Sequence, residues 1–358
     1  RANFDAKLSK KLDIQFNLNP SYTTQNIVPS QGTGAGQGEE TTAQAVAWIG
    51  LFPPYNPDGS YYIIDQTVSM TVWHPVAVAT EITNLQRTAR VLGNVRATYR
   101  IMDDLKLSVM GGLNLGASER MKFRPAIPAF INQTTAYGEE ASSLGINWIS
   151  ENTLDYNHSF GKHNVSALVG FTTQKDWSQG SNMNSNKYPN NLVPTLNAVS
   201  GLLTGGFAAI SEWSMISYLG RINYNFNNKY YVTTSYRTDG SSRFGSNKKW
   251  GVFPSAALAW RVSEEEFMKS ISFINELKLR TSYGRTGNNN IGNYAHLATI
   301  SYDKYPFGGV QNGGFHQTVI DNPDLTWESQ SQIDAGIDLN FLDRRLALTV
   351  DYFHSVNS

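Results

Sequence analysis

Three features are missing from this 358-residue sequence, and each absence excludes a kind of structure or partner. The chain has no cysteine, which excludes disulfide bonds and thiolate metal sites. It has no run of 18 apolar residues, which excludes a transmembrane helix. Its 29 basic and 29 acidic side chains balance, so the chain carries no electrostatic footprint for nucleic acid.

The two ends of the chain also lack familiar signals. The sequence opens at Arg1 without an initiator methionine, a charged n-region or an apolar h-region, so no signal peptide is expected within these residues. It closes at Ser358, just after a strand-like stretch. We therefore expect a piece of a longer protein, truncated at both ends, whose open sheet edges would be unstable alone in lipid.

What the sequence does contain is a repeated alternation of apolar and polar residues. In the stretch 346–352, Leu346, Leu348, Val350 and Tyr352 share one face of a strand, and the residues between them share the other. Charges on a continuous inner face are costly in a dry core but cheap in a wet lumen. Twelve stretches follow this pattern: 4–8, 12–18, 93–101, 105–115, 148–160, 165–173, 218–226, 230–237, 252–262, 277–283, 333–341 and 346–352.

The connections between these stretches alternate short and long. The short ones carry Asn, Asp, Gly and Lys, which suit tight hairpins. A soluble sandwich gives no reason for such alternation, whereas outer-membrane barrels have short periplasmic turns and long extracellular loops. The pattern predicts an all-β antiparallel transmembrane β-barrel segment of about 12 strands. Its long outer loops are expected near 24–84, 116–146, 176–212, 238–250 and 285–326.

One connection on the short-turn side is longer than the others. Ser263 stands where a helix N-cap is expected, and Glu266 follows three residues later, which together form a capping box. The apolar residues after it, Phe267 and Met268, would pack one side of a short helix. With apolar Ile271 also following the box, we predict a short helix in this turn.

Several stretches resemble the SusC/RagA-type TonB-dependent outer-membrane transporters. They fall in the order found in that family and extend over most of the chain. The stronger ones read SYLGRINYNFNNKYYVTTSYRTDGSSRFG (217–245), GVFPSAALAWRVSEEEF (251–267), LKLRTSYGRTGNNNIGNY (277–294) and NPDLTWE (322–328). Less specific ones read FGKHNVSALVGF (160–171) and NPDGSY (56–61).

The resemblance implies a 22-stranded barrel in the outer membrane of a Gram-negative cell, filled by an N-terminal plug. This chain contains neither that plug nor the TonB box, so the plug domain is expected to be absent from it. The implied function is active import of oligosaccharides or peptides, driven by the TonB complex through the plug. A SusD-like surface lipoprotein would cap the barrel and deliver the ligand.

Two rival functions remain open from the sequence. A passive porin or a siderophore-type receptor would share the barrel but lack the lipoprotein lid. A soluble all-β carbohydrate-binding or hydrolytic domain would pack its apolar faces against each other. Enzymatic activity finds no support, because the chain has no cysteine and no Gly-x-Ser-x-Gly motif. No cofactor is expected.

Aromatic residues in the predicted outer loops are the better functional lead. Their flat rings could stack on sugars or pack on a partner protein, and they could equally fill loop cores or form an aromatic girdle. We take seven as candidates for contact with substrate or partner: Trp48, Trp73, Trp177, Tyr188, Tyr302, Tyr305 and Phe307. The same loops also hold Phe52, Tyr55, Tyr61 and Tyr62.

Other motifs favour structural roles. The glycine-rich run at 32–38 is interpreted as a flexible loop, since no Gly-Lys-Ser/Thr follows it. The stretches 237–244 and 284–290 suit sharp strand exits. Loop acids such as Asp58 and Asp324 do not follow the spacing of a calcium loop. His158 and His163 have no evident carboxylate partner, so we predict no metal site.

Overall fold

The computed structural model describes residues 1–28, 39–65, 72–131, 133–199, 203–271 and 273–358. The predicted glycine-rich run at 32–38 lies outside these residues. Neither α-helix in the described part of the chain is long and apolar enough to cross a membrane. The two helices are α1 (Thr41–Ala47) and α2 (Pro75–Glu81).

Fourteen strands form two sheets in the described part of the chain. Twelve of them form one antiparallel sheet with the order β1-β2-β3-β4-β5-β6-β7-β8-β9-β10-β13-β14, and β11 pairs with β12. We call the twelve-stranded sheet the barrel wall. The strands are β1 Ala2–Lys7, β2 Leu12–Asn26, β3 Thr83–Met102, β4 Leu105–Arg124, β5 Tyr137–Phe160, β6 His163–Ser185, β7 Gly205–Phe226, β8 Tyr230–Ser241, β9 Trp250–Arg261, β10 Ile274–Asn288, β11 Thr299–Phe307, β12 Val310–Val319, β13 Glu328–Phe341 and β14 Leu346–Asn357.

All twelve predicted strands are present, in the predicted order and pairing. The short turns after β5, β7 and β13 contain residues in the left-handed region, which tight hairpins favour. Asn227 and Asn228 have φ of 52° and 54°, and Gly161 has φ of 61°. The turn after β13 places even Leu342 at φ 55°, next to Asp343 and Arg344 in the same region.

Several strands continue well past their predicted ends, away from the short turns. β6 extends to Ser185 and β7 begins at Gly205, so much of the predicted loop 176–212 is strand. β4 and β5 likewise occupy parts of the predicted loop 116–146. These extensions are rich in Ser, Asn and Gly. Apolar and polar residues alternate only weakly in these extensions. Strong alternation is expected only where one face of the strand meets an apolar environment.

The barrel wall has an apolar and a polar face, as the alternation predicts. On the polar face, Arg280 Nε lies 3.3 Å from Asp338 Oδ2, and the same guanidinium pairs with Asp351. Ile337 and Val350 form a cross-strand pair on the opposite face, where both are exposed. The predicted separation of Val350 and Asp351 onto opposite faces is therefore confirmed.

A band free of ionised side chains crosses the apolar face of β3, β4, β6 and β7. It ends on the loop side at two oppositely charged cross-strand pairs. Arg87 pairs with Glu119, and Lys175 Nζ lies 3.0 Å from Glu212 Oε2. A charged side chain facing lipid is costly near the bilayer midplane and much less so near its surfaces. The two pairs therefore indicate where a membrane would end.

Aromatic rings border this band. At the short-turn end, Phe160 stacks on His163 with centroids 5.1 Å apart, and Tyr230 stacks on Trp260 at 6.4 Å. Trp250 lies on the same face of β9 as Trp260, ten positions away. With a rise of about 3.4 Å per residue and a tilt of about 40°, the two rings are about 26 Å apart along the barrel axis. This matches the roughly 25 Å apolar band of outer-membrane barrels.

The predicted short helix is present in this turn in 3-10 form, but the predicted capping box is wrong. The segment forms two 3-10 turns, Val262–Glu264 and Glu266–Met268, and neither has a side-chain cap. Ser263 Oγ is buried and has no hydrogen-bond partner among the described residues. Glu265 instead accepts hydrogen bonds from Tyr230 and Trp260, so the turn is fixed to the wall rather than capped as a helix.

Candidate functional site at the outer mouth

Two groups of loop residues fold across the polar face at the loop end of the wall. The first mouth cluster comprises residues 39–65, 72–82 and 125–131. Its Glu39 carboxylate pairs with Lys122 and Arg124 on the polar face of β4. The Trp73 ring lies 5.3 Å from the Arg124 guanidinium. The cluster therefore lies over the lumen side of the wall.

The first mouth cluster has its own hydrophobic core. Helix α2 begins with Pro75 at its first position, which suits a helix start because the missing N–H has no partner there. Its Ala77 and Val78 are fully buried. They pack with Trp73 and Phe130, whose rings lie 5.2 Å apart. The core holds this loop in one position across the mouth.

His74 connects the parts of this cluster. Its Nε2 lies 2.6 Å from the Pro54 carbonyl, and its Nδ1 accepts a hydrogen bond from Ala77 N at 3.2 Å. These two partners require the neutral tautomer with the proton on Nε2. Burial lowers the pKa of His74, while the Pro54 carbonyl acts in the opposite direction.

A cavity of about 610 Å³ opens in the first mouth cluster. Its lining combines two tyrosines, a carboxylate and an amide. Tyr61 OH donates to Glu81 Oε1 at 2.6 Å. The pKa of Tyr61 is raised mainly by burial and, to a smaller extent, by the hydrogen bond to the Glu81 carboxylate. The lining residues are Asn56, Ser60, Tyr61, Tyr62, Ile63, Glu81, Ile127, Pro128 and Ala129.

The second mouth cluster comprises residues 242–249, 289–298 and 320–327. Arg243 is its central residue: its guanidinium lies 4.6 Å from the Trp213 ring, on the polar face of β7. Its Nε donates to Asn293 Oδ1 at 2.8 Å, and its Nη1 donates to the Asn289 carbonyl at 3.0 Å. His296 Nδ1 contacts the Arg243 carbonyl at 3.1 Å. One side chain thus joins two loops to the wall.

The stretch 322–328 completes the second mouth cluster. Phe244 is fully buried, and its ring lies 4.8 Å from Trp327. Gly245 N donates to the Leu325 carbonyl at 3.1 Å, and a Cβ on Gly245 would collide with the Pro323 carbonyl. Three stretches that carry the family resemblance therefore meet in one packed unit. The sharp strand exits predicted at 237–244 and 284–290 lie later than expected: β8 continues to Ser241 and β10 to Asn288, so Asp239 and Gly240 belong to the ladder rather than to a turn.

The hairpin β11–β12 projects from the predicted loop 285–326. Tyr302 lies across Gly313, and Tyr305 lies across Gly314, so each ring occupies the space of an absent side chain. Both faces of the hairpin are exposed, including Phe307, which is 79% exposed. An isolated two-stranded hairpin is marginally stable in water. Its apolar side chains are nevertheless largely exposed in the described part of the chain.

The seven aromatic candidates lie in four different environments. Trp73 and Tyr188 are buried, and Tyr188 packs 5.5 Å from Phe123, so neither ring has a face for a ligand. Trp48 is half-buried at the end of α1, 4.8 Å from His74. Tyr302, Tyr305 and Phe307 lie together on β11 and are exposed.

Trp177 is placed differently from its prediction. It lies in β6, two positions beyond Lys175, and shares the apolar face with Phe171. It therefore belongs to the outward side of the wall, away from the lumen. The reason is that β6 extends beyond the membrane band, where the sequence predicted a loop.

The polar motifs singled out in the sequence make local side-chain contacts. Asp58 Oδ1 accepts from both Ser60 N and Ser60 Oγ, a local turn that lowers the pKa of Asp58. Contrary to the sequence interpretation, His158 does have a carboxylate partner, with Nδ1 2.8 Å from Asp104 Oδ2. The described residues contain no group of three or more metal-ligating side chains.

An antiparallel wall with a banded apolar face, a polar lumen face and folded mouth loops defines an outer-membrane β-barrel segment. The chain belongs to the TonB-dependent receptor-like β-barrel family, whose sequence model matches residues 17–356. TonB-dependent receptor P3 of Formosa agariphila is 32% identical over 98% of this chain. TonB-dependent receptor SusC of Bacteroides thetaiotaomicron is 39% identical over 40% of it, and 15% of SusC is covered.

A solved structure of the RagAB peptide transporter matches the fold, with a TM-score of 0.84 at 23% identity. That match covers 99% of this chain and 39% of the solved chain. The present chain likewise spans 35% of the Formosa receptor. The SusC/RagA-type resemblance, the barrel fold and the outer-membrane location are confirmed, and the family consists of transporters and receptors rather than enzymes.

Proposed function

We propose that this chain forms part of the wall and outer mouth of an active importer. The importer would carry oligosaccharides or peptides across the outer membrane, with energy from the TonB complex. The observation that carries the proposal is the inward folding of both mouth clusters, since a mouth filled by packed loops favours selective uptake over free diffusion. Membership of the TonB-dependent receptor family supports it.

The rest of the full-length protein would supply the plug and the closing strands. Because the chain spans about a third of the length of its relatives, we assign the TonB contact and the remaining barrel strands to that part. We also propose that residues 1–358 form one partial barrel domain. The outer-membrane lipid would surround the apolar band.

A SusD-like surface lipoprotein is the partner that we propose for the mouth. The hairpin β11–β12 supports this, because Tyr302, Tyr305 and Phe307 present exposed rings that a lid protein would cover. Aromatic residues are enriched at protein interfaces. Deleting 299–319 from the full-length protein should abolish co-purification of the lipoprotein and leave the barrel folded.

The transport proposal is tested by uptake into cells that carry the full-length protein. A labelled oligosaccharide or peptide too large for general porins should enter, and entry should stop when the proton-motive force is dissipated. Uptake that continues without the proton-motive force would favour a passive porin. A water-soluble, monomeric, ligand-binding protein would instead favour the carbohydrate-binding domain.

A further inference from the structure

The cavity in the first mouth cluster has features of a sugar site. We propose that it binds a pyranose ring of a neutral oligosaccharide, and that the Glu81 carboxylate disfavours acidic sugars. This inference rests on the import function proposed above and specifies its substrate class. The cavity has a volume of about 610 Å³, which lies within the range of roughly 300–1,000 Å³ typical of ligand pockets.

The two tyrosine rings are held in fixed orientations. Tyr62 stacks on Phe52 with centroids 5.4 Å apart and an interplanar angle of 19°. Tyr61 lies 5.8 Å from Tyr55 and 4.8 Å from His74. Rings held in this way lose little conformational entropy when a ligand binds. They suit the flat C–H face of a pyranose, which packs against aromatic surfaces.

The polar lining is rich in acceptors. Glu81 uses Oε1 to accept from Tyr61, and no described residue donates to its Oε2. Asn56 uses Nδ2 to donate to Ser60 Oγ and to the Tyr61 carbonyl, so its Oδ1 has no partner within the described ranges. Sugar hydroxyls supply the donors that such acceptors need. Unpaired acceptors would also penalise a ligand without donors.

Charge selects against acidic sugars. Glu81 is the ionisable carboxylate of the lining, and none of the described lining residues is Lys or Arg. A uronate or sulfate placed beside Glu81 would meet a like charge without a compensating cation. A neutral sugar meets no such penalty.

A peptide fits this cavity less well than a sugar. Bound extended peptides commonly pair their main chain with a free strand edge. The loop that lines the cavity already pairs its own backbone: Asn56 N donates to the Ser60 carbonyl at 2.8 Å, and Tyr62 N donates to the Pro54 carbonyl at 3.2 Å. Side-chain contacts would therefore have to carry the whole interaction.

The test measures binding to the full-length protein in detergent by calorimetry. The probes are gluco-, manno- and galacto-configured neutral hexasaccharides, a galacturonate hexasaccharide and a tryptic peptide mixture. Tyr62→Ala should weaken binding of the preferred neutral sugar by about 2- to 12-fold, and Tyr62→Phe should retain it. Glu81→Gln should raise galacturonate affinity relative to the neutral sugar. Tyr22→Ala, which removes an exposed tyrosine of β2, is the matched control and should change neither affinity.

Each alternative outcome overturns the inference in a recognisable way. Absence of binding by every neutral sugar, or an equal loss in Tyr62→Ala and Tyr22→Ala, contradicts the sugar site. Peptide binding that Tyr62→Ala weakens assigns the cavity to peptides. In either case energy-dependent uptake can persist, so the import function survives. Loss of proton-motive-force dependence contradicts that function independently of the cavity.

Discussion

The barrel wall and the mouth clusters place their apolar side chains in opposite environments. Ile222, Leu258 and Val350 on the wall are about half exposed, at 51%, 53% and 55%. Trp73, Phe130 and Phe244 in the mouth are almost completely buried. The wall has lipid as an external apolar phase, whereas the mouth stands in water and must form its own cores. The same residue types therefore need different partners in the two regions.

The two regions also differ in what holds them together. The wall depends on continuous backbone ladders, such as the 23 residue pairs that join β5 to β6. The mouth depends on side chains from distant parts of the sequence, such as Arg243 with Asn293. Mutations in the mouth should therefore act locally, and those in the wall should act on the whole barrel. The following predictions test this difference in full-length protein.

Trp73→Ala is expected to have the largest effect. Removing this buried ring should lower the local unfolding free energy of the first mouth cluster by about 3–5 kcal/mol. The amides of α2 would then exchange faster, as hydrogen-exchange mass spectrometry measures. Amides of β9 should be unchanged. Trp177→Ala, which removes an aromatic ring from the outward side of the wall, is the control, and equal acceleration of α2 by both variants would contradict the separation of the two regions.

Val350→Arg should destabilise the barrel by about 2–4 kcal/mol, because it places a charge on the apolar band. Thr349→Arg should cost clearly less. Thr349 Oγ1 lies 3.2 Å from Asp338 Oδ1 on the polar face, so an arginine there would meet carboxylates and water. Urea unfolding of the barrel in lipid vesicles measures both values. Similar costs would contradict the assignment of the two faces.

Gly245→Ala should destabilise the second mouth cluster by about 1–3 kcal/mol, since the new methyl group collides with the Pro323 backbone. Gly145→Ala in β5 is the matched control, because a Cβ there meets nothing within 4 Å. Limited proteolysis of the segment 320–327 should distinguish the two variants. Equal protection in both would show that the close approach does not hold the cluster.

Acidification should have the smallest effect, and it should be confined to the first mouth cluster. Burial lowers the pKa of His74 below its ordinary value of 6.5, so the unfolded loop binds a proton before the folded loop does. The local unfolding free energy should therefore fall as the pH drops below about 6.5. Protonated Nδ1 could no longer accept from Ala77 N. Hydrogen exchange at Ala77 should show this pH dependence, and His74→Asn should remove it.

The strands of the wall could be predicted where one face meets lipid. The stretch 333–341 gave a strand that the structure extends only to Glu328–Phe341. In β6, by contrast, the residues beyond Thr173 are mostly polar on both faces, and the sequence therefore predicted a loop. For this reason Trp177 was predicted to lie in a loop, whereas it lies in β6. Period-two alternation reports a difference between environments, and water on both faces removes that difference.

The mouth could be predicted only in part. Aromatic residues in the outer loops were recognised, but the sequence did not separate buried Trp73 from exposed Phe307, because neither stands in one of the twelve alternating stretches. Glu81 gave no signal at all, since its role depends on Tyr61, twenty residues away. Helix α2 has an unusual N-cap in His74 and only seven residues, so its start was missed.

The sequence by itself determined the twelve strands, their order, the two faces of the wall and the family. Each of these follows from near neighbours along the chain, because alternation fixes the face and turn residues fix the hairpins. Only the tertiary structure decided how the loops close over the lumen, which rings are buried and where the cavity lies. Those features depend on contacts such as Arg243 with Asn293 and Trp73 with Phe130, whose partners are some fifty residues or more apart. No local pattern encodes such pairings, since they form only when the wall has brought the loops together.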